Sequence, residues 1–231
     1  MIHFIHLKNT PILEQLQLEE ALLRTDERSF CIINQGSPPA IVMGISGKLE
    51  KLVDLNQLKK DPIPLIRRFS GGGTVVVDEN TLFISFIISK KDLDLTPYPE
   101  PILRWSSELY SAAWQIPDFR LIENDYAICD KKCGGNAQYL RKERWIHHTS
   151  FLWDFKETQM ERLLMPEKIP SYRKNRPHTD FLCKLKDHHP SVDSLLSSLK
   201  KELKKRFDLE DFDLLSLTKK PHRQATQNLL I

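Results

Sequence analysis

The residues best suited to chemistry lie together in residues 67–78, Arg-Arg-Phe-Ser-Gly-Gly-Gly-Thr-Val-Val-Val-Asp. Glycine accepts positive φ angles and lets the backbone approach a ligand closely. Arginine offers a rigid, permanently charged fork for a carboxylate or phosphate, and bare N–H groups in a glycine turn can form an anion-binding nest. A flexible turn flanked by solvated arginines would have the same composition. The residue types therefore predict either an anion-binding loop or a mobile turn.

The flanking sequence favours an anchored loop. Residues 62–66 and 74–77 carry the apolar and β-branched residues that are typical of strands, so we predict a strand on each side of the glycines. A loop that is held at both ends can present its arginine and glycine groups to one ligand.

Lys132 is a second candidate for anion binding. It lies in residues 122–138, a pattern that predicts a strand, a tight Asp-Lys-Lys turn and a glycine-rich returning strand. A lysine in such a turn is often only a solvated hairpin residue. A lysine at a strand end that faces three glycines and two arginines is better explained as part of an anion site.

Four spaced motifs together resemble those of the lipoate–protein ligase A family, within the biotin and lipoate ligase and octanoyltransferase superfamily. Residues 67–75 are similar to its Arg-Arg-x-Ser-Gly-Gly-Gly-Thr-Val signature. Residues 124–137 contain its Asn-Asp pair and resemble its Lys-[Ile/Val]-Ser-Gly-[Asn/Ser]-Ala run. Residues 147–152 are similar to its His-His-Gly-[Ser/Thr]-Leu-Leu, and residues 172–181 match its Tyr-Arg-x-x-Arg-x-His-x-Asp-Phe loop.

The resemblance implies an α+β fold, with a mixed, largely antiparallel β-sheet flanked by helices. It also implies one catalytic domain over residues 1–231, without the accessory domain of longer members and with a frayed tail from about residue 218. The sequence patterns agree with such a fold. They predict helices at residues 11–23, 102–114 and 192–207, and strands at residues 2–7, 29–35, 40–44, 82–89 and 145–153, with residues 36–39 as a hairpin turn.

The resemblance further implies a site for an acyl-adenylate. Lys132 would be catalytic, contacting the acyl carboxylate and the adenylate phosphate, while Asn124 and Asp125 would hold ATP and Mg²⁺, which prefers oxygen ligands. An apolar slot that includes Ile84 would take the acyl chain. The positions implied to bind the acyl group or the adenylate are Arg68, Ser70, Gly71, Gly72, Gly73, Val75, Val77, Gly135, Asn136, Ala137 and His148. No structural metal is expected.

Several positions depart from the family pattern. Val77 stands where many members have histidine, and Phe83 where they have asparagine, so neither is expected to transfer protons. Gly134 replaces serine, which removes a hydroxyl and is expected to leave more room for the ligand. The loop at residues 45–48 lacks the usual arginine, so Lys48 either supplies that charge or is a solvated lysine.

The histidines and cysteines have simple expected roles. His147 and His148 are adjacent on a strand and point to opposite faces, so one is predicted to be a core histidine and neither a metal ligand. The cysteines do not form two close pairs, and reduced thiols in the cytoplasm are expected. Cys133 could carry an acyl thioester beside Lys132, but adjacent strand residues face opposite sides.

The implied function is a lipoate–protein ligase that uses ATP to form lipoyl-adenylate and lipoylates a carrier lysine. The implied carriers are lipoyl domains of 2-oxoacid dehydrogenase E2 subunits, the glycine-cleavage H protein, or both, with a separate accessory subunit as a further possible partner. The alternatives are an acyl transferase that uses a pre-activated donor, a biotin ligase, and a non-catalytic carrier-binding module.

Composition limits the partners. The 231 residues carry a net charge of +3, too mild to indicate nucleic-acid binding. No apolar run is long enough to span a bilayer, so no membrane association is expected. The basic residues near 142–144 and 200–206 form either a docking surface for an acidic carrier or a solvated face.

Overall fold

Two β-sheets form the framework of this computed structural model, which describes residues 1–166, 169–217 and 220–229. The strands are β1 (Ile2–Lys8), β2 (Ser29–Gln35), β3 (Ala40–Met43), β4 (Leu65–Arg67), β5 (Thr74–Val77), β6 (Thr81–Ser89), β7 (Phe119–Ile122), β8 (Asp125–Ile128), β9 (Lys131–Leu140), β10 (Arg144–Leu152), β11 (Leu209–Asp211) and β12 (Gln227–Asn228). The helices are α1 (Ile12–Thr25), α2 (Leu49–Leu52), α3 (Leu55–Lys60), α4 (Pro99–Trp114), α5 (Glu157–Met160), α6 (His178–Phe181) and α7 (Val192–Arg206).

The larger sheet has the strand order β11-β1-β2-β6-β10-β9-β8-β7, and the smaller has the order β12-β4-β3-β5. Strand β1 is parallel to both of its neighbours and β3 is parallel to β4, whereas the other pairs are antiparallel. The prediction of a mixed, largely antiparallel sheet flanked by helices is confirmed, with a second sheet added. Within the described residues, no helix is long and apolar enough to cross a membrane.

Helices α4 and α7 cover one face of the larger sheet. Leucines of α7 and aromatic residues of α4 share a buried cluster with strand residues such as Phe86 and Trp145. The sequence supports both helices locally. Prolines at 99 and 101 open α4, where a missing N–H costs nothing, and the Ser191 hydroxyl caps α7 by accepting a hydrogen bond from the N–H of Ser194.

Helix α1 lies on the other face of the larger sheet, in the space between the two sheets. Its C-terminal leucines, Leu22 and Leu23, pack against the larger sheet. Its N-terminal residues Ile12 and Leu16 pack against Val42 of the smaller sheet. A cavity lies beside α1 and between the two sheets, and the candidate site occupies it.

The predicted hairpin between β2 and β3 is wrong, because these strands belong to different sheets. Gly36 has a φ of +80° and donates its N–H to the carbonyl of Thr81, and Ser37 donates to the carbonyl of Asp78. The segment therefore bonds to the turn between β5 and β6 instead of closing on itself. This bonding redirects the chain from one sheet into the other.

The C-terminal segment is also different from the prediction of a frayed tail. The N–H groups of Ala225 and Thr226 donate to the buried Glu20 carboxylate, and β12 pairs with β4. Residues 218, 219, 230 and 231 of the predicted tail lie outside the described residues. A buried carboxylate that needs donors thus holds residues 225 and 226 against α1.

Candidate active site

The first cavity, of about 300 Å³, lies between α1, the smaller sheet and strands β6, β9 and β10. Its volume is at the lower end of the range of about 300–1,000 Å³ that is usual for small-ligand pockets. The apolar part of its lining consists of Ile12, Leu16, Val42, Val75, Val77 and Phe83. The polar part includes Gln15, Glu19, Arg68, Ser85, Asn124, Asp125, Lys132, Asn136 and His148.

A second cavity, of about 240 Å³, adjoins the first. Both are lined by Gly73, Thr74, Val75, Asp125, Lys132, Gly135 and Ser150. The second cavity is otherwise lined by apolar residues such as Met160 and Phe181, together with Arg173 and His178. The predicted catalytic lysine therefore lies where two cavities meet.

Lys132 is held in place by an ion pair. Its Nζ lies 2.7 Å from Oδ1 of Asp125, and the Tyr172 hydroxyl donates to Oδ2 of Asp125 at 2.9 Å. Burial and the neighbouring Asp125 carboxylate raise the pKa of Tyr172, so it remains a hydroxyl donor. A Cβ on Gly135 would lie 3.3 Å from the Lys132 Nζ. A side chain at Gly135 would therefore crowd the ammonium group.

Arg68 supports the glycine loop, residues 70–73, from within. Its Nη2 donates to the carbonyls of Gly71 at 2.7 Å and Gly73 at 2.9 Å, and its Nε donates to the Ser70 hydroxyl at 3.2 Å. Burial lowers the pKa of Arg68 to about 10, so the guanidinium stays charged at neutral pH. These donors point at the loop itself, and the expected contact of Arg68 with the acyl group stays a prediction.

The three glycines of the loop are not equivalent. Gly72 has a φ of +94°, and a Cβ there would lie 2.7 Å from the Arg68 Nη2. At Gly71 and Gly73 a Cβ would meet no atom within 4 Å. Among the hydrogen bonds of the described residues, the loop participates through its carbonyl oxygens and not through the N–H groups of these glycines. Such N–H groups can face an anion.

The expected Mg²⁺ fits the site only together with nucleotide phosphates. Asn124 and Asp125 both line the first cavity, but the described residues contain no group of three His, Cys, Asp or Glu that could hold a metal by itself. Mg²⁺ is usually bound through one or two carboxylates plus phosphate oxygens. Asp125, with the Asn124 amide beside it, offers that kind of partial site.

Arg173 is a candidate that our sequence predictions did not include among the site residues. It is 3% exposed and its Nε donates to the Arg176 carbonyl, while its Nη2 has no hydrogen-bond partner among the described residues. Burial lowers the pKa of Arg173. Burial, and then the nearby Arg173 and Lys132, lower the pKa of His178 to about 4. Within the described part of the chain, the second cavity therefore presents a guanidinium group with an unpaired Nη2 beside a neutral imidazole.

His148 links the glycine loop to α1. Its Nε2 lies 2.7 Å from the Ser70 Oγ, and its Nδ1 lies 2.9 Å from Oε2 of Glu19. Glu19 is fully buried, and sequence reasoning noted it only as part of a helical pattern. Ser70 is equally buried. Of the predicted loop residues, Ser70 and Gly71 line neither cavity, whereas Arg68, Gly72 and Gly73 line the first.

His147 points to the opposite face of the sheet and is a core histidine. Its Nε2 lies 2.8 Å from the Tyr126 hydroxyl and 3.2 Å from the Thr149 hydroxyl. This arrangement satisfies the imidazole without an ion partner, so a neutral ring is the stable form inside the fold.

Acidification is expected to reduce stability through His147. Burial lowers its pKa to about 3, whereas an unfolded histidine has a pKa of about 6.5. Between pH values of about 6.5 and about 3, His147 binds a proton in the unfolded chain but not in the folded chain. Over this range the residue therefore lowers the free energy of unfolding by about 1.4 kcal/mol for each unit that the pH falls. Urea titrations at pH 7 and pH 5 should differ by about 2 kcal/mol more in the native protein than in His147→Gln. An equal pH effect in both proteins would contradict the assignment.

Three other predicted features are corrected by the geometry. Ile84 lies in the core on the far face of β6, and its neighbour Phe83 lines the first cavity instead. Gly134 faces the core, where a Cβ would lie 2.5 Å from the Phe151 ring, so its missing side chain gives no room to a ligand. Lys48 is exposed and lines neither cavity, which favours a solvated lysine.

The cysteines are placed away from both cavities. Cys133 is buried in the cluster beneath α4, on the face opposite Lys132, and burial raises the pKa of its thiol. Cys129 lies in the exposed turn before β9. No cysteine lines either cavity, so the geometry offers no thiol to carry an acyl group there.

The basic side of α7 also lies away from the cavities. Helix α7 packs with α4 on one face of the larger sheet, whereas the cavities share the other face with α1. Lys200 pairs with Asp211, and Lys205 and Arg206 pair with Glu202. The geometry therefore favours a solvated face over a docking surface.

Comparisons with known proteins identify the family of this chain. A family model described as “Lipoyl protein ligase A/B catalytic domain” matches residues 11–215. An “inactive lipoate–protein ligase 2” of Plasmodium falciparum is 30% identical over 244 aligned residues, covering 80% of this chain and 64% of that protein. The chain thus spans less than two thirds of that relative's length.

Two solved structures share the fold. A bi-partite lipoate protein ligase from Thermoplasma acidophilum, solved in a study that includes its E2 lipoyl domain, has a TM-score of 0.74 at 22% identity, covering 91% of this chain and 85% of that chain. A lipoate-protein ligase A bound with ATP has a TM-score of 0.72 at 20% identity, covering 92% and 87%. Because the family model spans most of the sequence, this chain belongs to the lipoyl protein ligase A/B catalytic-domain family.

Proposed function

We propose that the chain is an ATP-dependent lipoate–protein ligase, with residues 1–231 as one catalytic domain. It would activate lipoate as lipoyl-adenylate and transfer the lipoyl group to a lysine of a carrier domain. The observation that carries this proposal is the position of Lys132 at the junction of two cavities. Adenylation needs one place for an acyl acid, one for a nucleotide, and positive charge where their reacting atoms meet.

The first cavity suits the acyl acid. Its apolar lining would surround the acyl chain, and the carboxylate would then face Lys132 and the N–H groups of the glycine loop. Val77 and Phe83 both line this cavity, so the two departures from the family's polar residues make it more apolar. An apolar chain such as that of lipoate or octanoate fits such a lining.

The second cavity suits the nucleotide. Arg173 brings an unpaired guanidinium N–H and Lys132 an ammonium group, which together would balance phosphate charge. Asp125 and Asn124 would hold Mg²⁺ against the phosphates, where the ion would further neutralise their charge. The lining residues that the two cavities share support a phosphate region beside the expected carboxylate position.

The two steps then need only positioning and electrostatic stabilisation. A carboxylate oxygen of lipoate attacks the α-phosphorus of ATP and pyrophosphate leaves. The amine of a carrier lysine next attacks the acyl carbon, AMP leaves, and the amine loses its proton to give the amide. Lys132 would stabilise the negative charge that develops in both steps.

The proposed carriers are lipoyl domains of E2 subunits and the glycine-cleavage H protein. The Thermoplasma protein of similar fold was studied with its E2 lipoyl domain and is bi-partite, which supports both an E2 carrier and a separate accessory subunit for this chain. We also propose a cytoplasmic location, because the four cysteines are free and a reducing compartment keeps thiols unpaired.

A non-catalytic carrier-binding module is the second candidate, because the Plasmodium relative is described as inactive. The test is to mix the protein with lipoate, ATP and Mg²⁺, and to measure pyrophosphate release and bound acyl-adenylate by mass spectrometry. We expect both products. Lipoate binding without pyrophosphate would favour the non-catalytic module, and an ATP-independent thioester on a cysteine would establish a transferase instead.

A further inference from the structure

We propose that Glu19 is a positioning residue that holds the glycine loop in its binding shape through His148, Ser70 and Arg68. Only the naming of an acyl acid as the ligand of that loop rests on the proposed function. A continuous network of buried polar groups joins α1 to the loop.

This polar network has four members, Glu19, His148, Ser70 and Arg68, which are joined by short contacts. Glu19 Oε2 lies 2.9 Å from His148 Nδ1, His148 Nε2 lies 2.7 Å from Ser70 Oγ, and Arg68 Nε donates to Ser70 Oγ at 3.2 Å. At its far end, Arg68 donates to the carbonyls of the glycine loop. Side chains from a helix, a strand and a loop are thereby joined in one network.

With a neutral His148 imidazole, the chemistry of the end groups determines the direction of every hydrogen bond. An ionised carboxylate only accepts and a guanidinium only donates. Glu19 therefore requires the proton of His148 on Nδ1, which leaves Nε2 as an acceptor. The Ser70 hydroxyl then donates to Nε2 and accepts from Arg68. This order is consistent at each atom, and it depends on a carboxylate at position 19.

Charge balance gives Glu19 a second role. Arg68 is 5% exposed and Glu19 is fully buried, and a buried charge without a counter-charge is strongly unfavourable. The negative charge of Glu19 favours the charged form of Arg68. The other carboxylate oxygen, Oε1, accepts from Gln15 Nε2 at 2.8 Å and from the Ser85 hydroxyl at 2.6 Å, so Glu19 is fixed in place.

A serine, a histidine and a carboxylate in this order also resemble a nucleophilic triad. Ser70, however, is fully buried, does not line either cavity, and receives the Arg68 N–H on its oxygen. An attacking hydroxyl needs space for a substrate carbonyl beside it. The arrangement therefore fits a structural relay and not a nucleophile.

The test uses Glu19→Gln, with Glu20→Gln as a matched control. Glu20 lies next to Glu19 on α1 and is equally buried, but its carboxylate holds Arg24 and the C-terminal segment. Calorimetry with lipoate alone, without ATP, should show that Glu19→Gln binds lipoate at least about tenfold more weakly than the native protein, because a buried charged hydrogen bond is lost. Glu20→Gln should bind within about twofold of the native protein.

Hydrogen exchange gives a readout that does not require ligand. The amide of Ile45 donates to the Ser70 carbonyl and the amide of Arg68 donates to the Met43 carbonyl. Both should exchange about tenfold faster in Glu19→Gln and in Ser70→Ala, but not in Glu20→Gln. Ser70→Ala keeps both charges and interrupts the relay, so it serves if Glu19→Gln fails to fold. Glu19→Asp, which keeps the charge, should recover part of the lost protection.

Unchanged exchange of these two amides in Ser70→Ala or in a folded Glu19→Gln would overturn the inference. So would equal effects of Glu19→Gln and Glu20→Gln on both the loop and lipoate binding. If the native protein binds no lipoate, the proposed function fails, but the exchange experiment still decides whether Glu19 holds the loop.

Discussion

Replacing Lys132 by alanine is expected to lower the rate of lipoyl-adenylate formation by about two to three orders of magnitude, the usual effect of removing one preorganised charge-stabilising group. Among the described residues, Lys132 is the cation that lines both cavities, and Asp125 Oδ1 lies 2.7 Å from its Nζ. The measurement is pyrophosphate release with lipoate, ATP and Mg²⁺.

The fold should tolerate this change. The Lys132 side chain is 25% exposed, so its loss creates no closed cavity, and the melting temperature should shift by only a few degrees. Lys131→Ala is the matched control, because that lysine is adjacent and exposed. Full activity in Lys132→Ala, or an equal loss in Lys131→Ala, would remove Lys132 from the proposed mechanism.

Replacing Gly72 by alanine is expected to weaken lipoate binding by on the order of a hundredfold. A φ of +94° is strained for any residue with a Cβ, and that Cβ would lie 2.7 Å from the Arg68 Nη2. Backbone strain and a displaced buried hydrogen bond together amount to about 2–4 kcal/mol. Isothermal calorimetry with lipoate measures the loss directly.

The neighbouring glycines provide the control for this prediction. A Cβ at Gly71 or Gly73 would meet no atom within 4 Å, so alanine at either position should change lipoate affinity far less. If all three variants bind alike, the loop is shaped by the ligand and not by Arg68.

The described relatives make ATP dependence the decisive question for this chain. One relative is described as inactive and a structure of the same fold is bound with ATP. The residues proposed to contact ATP are Lys132 and Asp125, which line both cavities, and Arg173, which lines the second. If these residues bind nucleotide, the pyrophosphate assay and the Lys132 variant should agree.

The local pattern of the sequence was sufficient to predict the main helices and strands, whereas the fold class was implied by the family resemblance. Apolar residues at helical spacing predicted α1, α4 and α7, and β-branched runs predicted β1, β2, β5 and β6, because these periodicities arise from neighbours a few residues apart. The resemblance brought Lys132 and the glycine loop together as candidates, and the structure places both at the same cavity.

Contacts between distant residues were decided only by the tertiary structure. Glu19 and His148 are 129 positions apart and Asp125 meets Tyr172 across 47, and no local periodicity encodes such pairs. The same holds for Arg173, whose loop is polar in sequence yet buried in the fold, and for Ile84 and Gly134, whose facing depends on strand register. The one-residue alternation of a strand specifies two faces, but only packing against α1 or α4 decides which face meets the ligand and which the core.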